Sequence, residues 1–409
     1  MNCRHCDTIL DHTFLDLSYA PPSNAYLSET DLLKPEKYYP LKVKVCASCF
    51  LVQTEDYADA DELFNSNYAY FSSTSSSWLS HSASYVEAIT EKLQLNHNSH
   101  VIEVASNDGY LLKNFVAAGI PCLGIEPTSS TADMAEKNGI TVIREFFGKA
   151  LGEQLSNTGR QADLIIGNNV YAHVPNINDF TQGLKAALKP NGTITLEFPH
   201  LMRLIEFIQF DTIYHEHFSY LSLSVVRKIF NDFGLKIWDV EELSTHGGSL
   251  RIYGCHDDDD REISQSVEML LIEEDKRGIR ALETYLNFQS HANKVKDDLL
   301  SFLIKQKKAG RSVAAYGAAA KGNTLLNYAG VKRDLLPFVC DAALAKQWKY
   351  MPGSHIPILP PEKLVDIDLD FLIILPWNIA QEVKKQNLSL IHISEPTRLL
   401  SISYAVFCL

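Results

Sequence analysis

From residue 78 to residue 198, short apolar runs alternate with longer segments in which apolar residues recur at helical spacing. Short runs of this kind are typical of buried strands, and the longer segments of amphipathic helices. The predicted strands begin at 101 and cover 121–125, 141–143, 162–167 and 192–198. The predicted helices are 78–95, 110–118, 130–138, 149–156 and 177–188. This alternation predicts an α/β fold with an open, mostly parallel sheet covered on both faces.

The pattern ends and begins again further along the chain. Residues 245–253 predict a last strand for this sheet, and the acidic run at 257–260 indicates a domain border. A long helical segment continues to about residue 308. New strands then follow at 313–316, 336–340 and 371–375, which predict a second Rossmann-like α/β domain.

The loop after the first strand has the composition of a cofactor site. Residues 101–110 are Val-Ile-Glu-Val-Ala-Ser-Asn-Asp-Gly-Tyr, and Gly109 opens the next helix. The second strand ends at Glu126, where a carboxylate can accept both ribose hydroxyls of an adenosine. The strand ends also carry Phe146, Asn168 and His173, and strand ends of such sheets line one cleft. A nucleoside cofactor is therefore predicted, although the same residues could form a plain strand-to-helix turn.

The identity of the cofactor depends on the glycines. A dinucleotide fingerprint needs three glycines in G-x-G-x-x-G, and this loop has only Gly109. A loop with Asn107 and Asp108 suits a cofactor with an amino-acid tail and a sulfonium, which favours S-adenosylmethionine over a nicotinamide. The predicted contacts are Glu103, Ala105, Asn107, Asp108, Gly109, Glu126, Pro127, Phe146 and Asn168.

Two Cys-x-x-Cys pairs stand near the N-terminus, Cys3 with Cys6 and Cys46 with Cys49. Four thiolates in two such pairs predict a closed tetrahedral zinc site with a structural role. The segment between the pairs is predicted to hold a small α+β insertion. A redox dithiol is the alternative, but it needs one pair and not two.

The densest group of polar side chains is 213–220, Ile-Tyr-His-Glu-His-Phe-Ser-Tyr. Histidines beside a carboxylate and phenols suit general acid–base chemistry, in which phenol or imidazole donors hold a developing oxyanion. A catalytic metal is disfavoured because the spacing is not that of His-Glu-x-x-His. Satisfied structural histidines are the remaining alternative.

Two further segments suggest ligand contacts. Residues 68–78 combine tyrosines, serines and Trp78, which suits either hydrogen bonds to a polyhydroxylated ligand or an interdomain loop. Residues 317–324, Gly-Ala-Ala-Ala-Lys-Gly-Asn-Thr, open a helix and could hold a diphosphate with Lys321, with Asp341 at the next strand end. The small residues could instead serve close helix–strand packing.

Composition narrows the class of protein. The chain has 409 residues, 46% of them hydrophobic, and a formal net charge of −13. That length indicates two to four domains, and the acidic balance argues against nucleic acid or anionic membrane as partners. Because no apolar run approaches the roughly 20 residues of a membrane span and no signal pattern is present, we expect a cytoplasmic protein. Oligomeric state is not indicated.

Together these stretches resemble the sugar C-methyltransferases that act on nucleotide-linked deoxy-keto-sugars, a family with a zinc-bearing N-terminal domain, a class I S-adenosylmethionine domain and a C-terminal Rossmann-like domain. The resemblance extends over the chain to about Gln386. The stretches that carry it are the two Cys-x-x-Cys pairs, 68–78, 103–109, 124–127, 214–220, 245–248 and 317–323.

The resemblance implies domains at 1–66, 67–258 and 259–387, the last holding the nucleotide. His217 matches the family's catalytic base, and Glu216, Tyr214, His173 and Tyr68 match residues around the reacting sugar. The expected substrate contacts are Tyr70, Ser72, Tyr220, His246, Gly317, Lys321, Asn323 and Asp341. Residues 388–409 depart from the family and have the character of a non-native tail.

Two other functions remain open at this stage. A nicotinamide-dependent sugar oxidoreductase could use either α/β unit, although the glycine pattern disfavours it. A non-catalytic zinc-ribbon binding protein with an inactive methyltransferase domain is the other alternative, and the intact His-Glu-His group disfavours it.

Overall fold

The structure is a computed structural model that describes residues 1–55, 72–74, 76–364, 366–387, 396–397 and 405–408. The described strands form three sheets. These strands are β1 His12–Ala20, β2 Tyr39–Val45, β3 Val52–Thr54, β4 Val101–Val104, β5 Cys122–Ile125, β6 Thr141–Ile143, β7 Ala162–Asn168, β8 Leu188–Pro199, β9 Ser219–Tyr220, β10 Leu235–Leu243, β11 Ser249–His256, β12 Val313–Tyr316, β13 Val339–Cys340, β14 Ile358–Leu359, β15 Phe371–Ile374, β16 Pro396–Thr397 and β17 Ala405–Cys408.

Helices cover the sheets and connect them. They are α1 Ser76–Leu93, α2 Leu112–Ala117, α3 Ser129–Lys137, α4 Lys149–Asn157, α5 Ile177–Ala187, α6 Leu201–Glu206, α7 Leu223–Asp232, α8 Gln265–Lys276, α9 Leu282–Leu286, α10 Phe288–Lys308, α11 Ala320–Tyr328 and α12 Ala380–Asn387. Within the described residues, none of these helices combines the length and the apolar character needed to cross a membrane.

The central sheet has seven strands in the order β10-β11-β8-β7-β4-β5-β6. Only β11 runs antiparallel to its neighbours, so the predicted open and mostly parallel sheet is confirmed. Strands β4 and β7 lie side by side in the middle, and nearly all their side chains are buried. Their carboxyl ends therefore meet at one edge, where the loops after residues 104 and 168 come together.

The C-terminal sheet has the order β14-β13-β12-β15-β17-β16. Strands β12 to β15 are parallel, as predicted, and β17 pairs antiparallel with β15. Gly317 follows β12 with φ of +93°, and a Cβ there would lie 2.3 Å from Cδ of Pro376. Only glycine allows these two loops to approach so closely.

The N-terminal sheet corrects one prediction. The insertion between the cysteine pairs is an antiparallel β1–β2 hairpin with one 3₁₀ turn at Asp31–Leu33, and not an α+β unit. Its alternating burial of one face explains the strand conformation. Strand β3 continues the sheet and pairs with β9, although β9 begins at Ser219, 165 residues after β3 ends at Thr54. The zinc-binding region is thus joined by strand pairing to the segment that holds the histidines.

Helix α8 packs against β10 and α7 of the central sheet, so the helical segment after the acidic run starts on that sheet. Glu274 is fully buried there and accepts hydrogen bonds from the amides of Leu223 and Ser224, at 2.6 and 2.9 Å. It also accepts one from Nε2 of His200 at 2.8 Å. By contrast, Phe288 in α10 stacks on Phe14 of the hairpin at 4.6 Å between ring centroids. The N-terminal hairpin and the C-terminal domain share one hydrophobic core.

Candidate active site

The loop after β4 has an unusual backbone. Ala105, Asn107 and Gly109 all adopt positive φ, at 56°, 49° and 76°. Alternate positions of the loop therefore have the left-handed conformation that normally favours glycine. Of these positions, the sequence indicated a special backbone conformation only at Gly109. A left-handed alanine cannot be recognised from the sequence, because alanine does not normally favour that conformation. Strain of this kind costs about 1 to 3 kcal/mol per residue and is concentrated at functional sites.

Three carboxylates surround this loop. Burial raises the pKa of Glu103 well above its usual value, and the charges of Asp108 and Glu126 raise it further. Glu126 accepts hydrogen bonds from the amide of Asn107 at 3.0 Å and from the amide of Thr128 at 2.8 Å. A cluster of buried acids is stabilised by a cation, so the loop fits a positively charged ligand. The sulfonium and ammonium of S-adenosylmethionine have that character.

Several buried polar atoms near the loop have no hydrogen-bond partner among the described residues. They are one carboxylate oxygen of Asp108, the hydroxyl of Ser106 and both side-chain polar atoms of Asn168. Buried polar groups are rarely left unpaired, which indicates a place for a polar ligand. The amide of Ser72 donates to Oδ1 of Asn107 at 3.0 Å, so Ser72 lies on the cofactor loop. Pro127 is half-buried, and Phe146 is 56% exposed beyond β6.

His217 is buried and His173 is partly exposed, and their ring centroids lie 4.6 Å apart. Nδ1 of His217 donates to the carbonyl of Thr212 at 2.9 Å, and Nδ1 of His173 donates to the carbonyl of Glu216 at 2.8 Å. Each Nε2 is therefore a hydrogen-bond acceptor in the neutral ring. Burial lowers the pKa of His217 well below its usual value, with a contribution from His173, and burial lowers the pKa of His173 to about 4. Both imidazoles are neutral at pH 7.

Aromatic rings enclose His217. The ring of Tyr214 lies 4.0 Å from it and that of Tyr220 lies 5.9 Å away, between centroids. The hydroxyl of Tyr220 is buried and interacts with the main chain of Tyr214. Burial raises the pKa of this phenol far above its usual value, so it remains a hydrogen-bond donor. His173 is different, because the only N–H of its neutral ring already donates to the carbonyl of Glu216, and an imidazole donor for the oxyanion stays a prediction.

Glu216 points to the N-terminal domain. Nδ2 of Asn24 donates to both of its carboxylate oxygens at 3.0 Å. Burial raises the pKa of Glu216 to about 7, while the hydrogen bond from Asn24 opposes the shift. The carboxyl group of Glu216 can therefore exchange a proton near neutrality. Its partner Asn24 was not predicted, since a lone asparagine in a hairpin has no recognisable signal.

The C-terminal domain contributes Lys321 to the same region. Its charge helps to lower the pKa of both His217 and His246, after the larger effect of burial. Nζ of Lys321 donates to Oδ1 of Asn378 at 2.9 Å and lies 4.7 Å from the centroid of Trp377. Burial lowers the pKa of Lys321 to about 8, against the opposing charge of Asp211. The lysine is thus a partly exposed cation beside the histidines.

Asn323 and Asp341 are engaged within the fold. Nδ2 of Asn323 donates to the carbonyl of Ser23 at 2.6 Å, which ties α11 to the N-terminal domain. Asp341 accepts from the amides of Ala318 and Ala343, both at 2.8 Å, and so fixes the loop that follows Gly317. Hydrogen bonds within the protein thus already use Nδ2 of Asn323 and both Asp341 oxygens, while Oδ1 of Asn323 is buried with no partner among the described residues. Tyr68 and Tyr70 lie outside the described residues.

A second polar cluster lies beside His246. Nδ2 of Asn169 donates to Nε2 of His246 at 3.1 Å. The ring centroids of Trp78 and His246 lie 5.3 Å apart. Trp78 also stacks on His81, whose Nε2 is 2.9 Å from a carboxylate oxygen of Glu197. Sequence reasoning missed His81 and Glu197. An acidic residue near the end of the apolar run 192–198 was the available signal.

The four predicted zinc ligands converge. The sulfurs of Cys3, Cys6, Cys46 and Cys49 all lie within 4.8 Å of one another. The sulfurs of Cys3 and Cys49 are 3.5 Å apart, and so are the sulfurs of Cys6 and Cys46. A zinc ion with bonds of ~2.3 Å to four tetrahedral sulfurs needs spacings of ~3.8 Å. The cluster therefore fits zinc with all positions filled by protein, a structural site.

Family models match three parts of the chain. Residues 3–64 match a "Putative zinc binding domain", residues 78–240 a "Methyltransferase domain" and residues 244–394 a "C-methyltransferase C-terminal domain". A curated relative, the C-methyltransferase NovU of Streptomyces niveus, is 33% identical over 383 residues, which cover 93% of this chain and 90% of the relative.

Solved structures with similar folds share less sequence. The magnesium protoporphyrin IX methyltransferase of Synechocystis PCC 6803, with bound SAM, is 16% identical with a TM-score of 0.32, covering 42% of this chain and 79% of that one. An S-adenosylmethionine-dependent methyltransferase of Clostridium acetobutylicum ATCC 824 is 11% identical with a TM-score of 0.35, covering 42% and 90%.

The family models and the four-cysteine cluster confirm the predicted class I methyltransferase fold, the S-adenosylmethionine cofactor and the zinc-binding N-terminal domain. The predicted enzyme class is also confirmed, because the relative is a C-methyltransferase and is similar over nearly its whole length. The chain belongs to the family of S-adenosylmethionine-dependent C-methyltransferases that carry an N-terminal zinc-binding domain.

Proposed function

We propose that this enzyme methylates a carbon atom next to the ketone of a nucleotide-linked keto-deoxysugar, with His217 as the base. One observation carries the proposal: His217 is buried and neutral, and its Nδ1 proton is held by the carbonyl of Thr212. Nε2 is then the basic nitrogen. A carbon nucleophile needs such a base, whereas methylation of an exposed amine or thiol does not.

The residues of the loop after β4 would hold the methyl donor. We assign the adenosine ribose to Glu126, which keeps lone pairs for its hydroxyls beside its two amide donors. Asp108 and Asn168, with their unpaired polar atoms, suit the amino-acid tail. The exposed ring of Phe146 suits the adenine. When bound, S-adenosylmethionine supplies an electrophilic methyl group on a sulfonium.

The proton step follows from the tautomer. Nε2 of His217 takes the proton from the carbon beside the ketone, and the C–H electron pair becomes the enolate. Glu126, Asp108 and Asn168 would hold the S-adenosylmethionine so that its methyl group could be accepted by that carbon, and the electron pair of the methyl–sulfur bond would stay with sulfur. A positioned base contributes on the order of 10² to 10⁴ in rate.

A base with a lowered pKa is weak, so it can remove the proton only if the enolate is stabilised. The negative charge on the enolate oxygen therefore needs a hydrogen-bond donor. The buried hydroxyl of Tyr220 stays protonated, because burial raises its pKa, and can donate to that oxygen. Lys321 adds a nearby positive charge in a water-poor site, where electrostatic stabilisation is strong. We assign the nucleotide to the C-terminal domain around Gly317 and Lys321, and the sugar to Tyr68, Tyr70 and His246.

We further propose that the enzyme works in the cytoplasm. The cluster of Cys3, Cys6, Cys46 and Cys49 needs thiols that stay reduced, and disulfides form in oxidising compartments.

The pH dependence of kcat/KM should show a plateau with two limbs. The neutral imidazole of His217 is the active form, so activity is lost only as pH falls well below roughly 6.5, the ordinary pKa of histidine. Lys321 must be protonated to stabilise the enolate. Because its pKa is lowered to about 8, activity declines as pH rises through about 8. Steady-state kinetics from pH 5 to about 9.5 measure both limbs.

Two variants identify the groups that titrate. Lys321→Arg should remove the alkaline limb, because a guanidinium stays charged. Glu216 has a pKa of about 7 and is the competing candidate for the acidic limb. An acidic limb near pH 7 that disappears in Glu216→Gln would assign that limb to Glu216 and contradict our choice of His217.

The substrate class is tested with a panel of nucleotide-linked 4-keto sugars and methyl-labelled S-adenosylmethionine. We expect label on a ring carbon next to the ketone, together with exchange of that carbon's hydrogen in D₂O. Label on oxygen or nitrogen alone would refute the proposal. Reduction or oxidation of a sugar with a nicotinamide, without methyl transfer, would support the oxidoreductase alternative instead.

A further inference from the structure

Arg4 lies inside the first cysteine pair, between Cys3 and Cys6, yet its side chain reaches out of the zinc site. Nε donates to the carbonyl of Phe218 at 3.2 Å, and Nη1 to the carbonyl of Pro175 at 3.2 Å. Nη2 donates to the carbonyl of Thr54 at 2.8 Å. One guanidinium therefore joins three separate chain segments.

Two of these segments carry His217 and His173. Phe218 directly follows His217, and Pro175 is two residues after His173. The third segment contacts the main chain of His217 and Phe218. The hydroxyl of Thr54 donates to the carbonyl of His217 at 3.1 Å, and the amide of Thr54 donates to the carbonyl of Phe218 at 3.1 Å. The Arg4 bonds thus tie together the main chain on either side of the imidazole pair.

The other end of Arg4 is tied to the sulfurs. Its amide donates to Oε1 of Gln53 at 2.9 Å, and Nε2 of Gln53 donates to Sγ of Cys3 at 3.3 Å. Gln53 is fully buried and pairs with Ser219 across β3 and β9. A metal held by Cys3 and Cys6 would fix the main chain of Arg4 on both sides. The position of the guanidinium therefore depends on the metal-bound conformation of the knuckle.

We propose that Arg4 is a positioning residue that couples the zinc knuckle to the geometry of the His217–His173 pair. The inference rests on the proposed role of His217 as the base. The planar guanidinium can donate to three carbonyls in fixed directions, which the single ammonium of a lysine cannot do. Displacement of a catalytic group by about 1 Å can cost on the order of 10² in rate. The N-terminal domain then has a part in catalysis besides stability.

The test compares Arg4→Lys and Arg4→Met with Arg280→Met, an exposed arginine paired with Asp275 on the surface. We expect the Arg4 variants to lose about 10- to 100-fold in kcat, with KM changed by less than about threefold. Hydrogen exchange at the sugar carbon, measured in D₂O with the demethylated cofactor bound, should fall in parallel. Zinc content and S-adenosylmethionine affinity should match those of Arg280→Met and the unaltered enzyme.

A second readout does not depend on turnover. In ¹⁵N-labelled protein, the His217 ring signals, assigned from their absence in His217→Gln, should shift in both Arg4 variants and not in Arg280→Met. If zinc content and kcat fall in proportion, or if Arg4→Met lowers only the melting temperature, Arg4 is structural and the proposal is wrong. If His217→Gln itself keeps full activity, the proposed base is at fault, and the ring signals still report whether Arg4 positions that histidine.

Discussion

Replacing His217 with glutamine is expected to lower kcat by about 10²- to 10⁴-fold and to leave S-adenosylmethionine affinity within about twofold. The glutamine removes the basic Nε2 but keeps a side chain that can donate to the carbonyl of Thr212, the present partner of Nδ1. The carboxylates of Glu103, Asp108 and Glu126 lie in other segments, in and after β4 and after β5, and are not altered. Single-turnover kinetics and calorimetric titration separate the two effects.

His215→Gln is the matched control, because it lies in the same segment two residues away. His215 is buried, but its Nε2 is 3.2 Å from the carbonyl of Pro40 in the N-terminal hairpin, away from the His217–His173 pair. We expect its kcat to stay within about fivefold of the unaltered enzyme. Comparable losses in both variants would indicate a general disturbance of the segment, and full activity in His217→Gln would mean that another group takes the proton.

Removing one zinc ligand is expected to have the largest effect on stability. Structural zinc sites contribute apparent binding free energies on the order of 10 kcal/mol, which become folding free energy. Cys46 is fully buried, and Cys46→Ser should abolish tight zinc binding. The hairpin β1–β2 shares a core with α10 and the C-terminal sheet, so its loss exposes apolar surface well beyond the metal site. Metal analysis and thermal melts with and without chelator measure the effect.

Cys122→Ser is the control, since Cys122 lies in β5 and outside the cluster. That variant should keep zinc and should melt within about 5 °C of the unaltered protein. A Cys46→Ser protein that retains zinc and melts at the normal temperature would contradict the structural role of the site. A loss of activity without loss of stability would point to the coupling through Arg4 alone.

The sequence by itself determined the order of strands and helices between residues 101 and 198 of the central domain, whereas strand β10 at Leu235–Leu243 was not predicted. Short apolar runs at 121–125, 141–143 and 162–167 could be buried only as strands between the amphipathic helices, and the structure has them within one residue at their ends. The zinc site was equally predictable, because two Cys-x-x-Cys pairs supply a complete tetrahedral ligand set without any other residue. Local spacing carried all of this information.

Other features required the tertiary structure. The left-handed conformation of Ala105 and Asn107 comes from the packing of the loop, and neither residue type signals it. The protonated nitrogen of His217 is decided by a carbonyl five residues away, and the charge state of Lys321 by burial between domains. Asp341 was expected to contact the substrate, but its carboxylate accepts hydrogen bonds from the amide of Ala343 in its own loop and from that of Ala318 in the loop after β12.

Arg4 shows the same limit most clearly. In sequence it is one arginine within a cysteine pair, while in the fold it donates to carbonyls 50, 171 and 214 residues away. Apolar periodicity and ligand spacing are local properties of a chain, so they can be recognised from residue order. Tautomers, pKa shifts and long-range hydrogen bonds depend on which atoms come within about 3 Å after folding, and only the tertiary structure brings those atoms together.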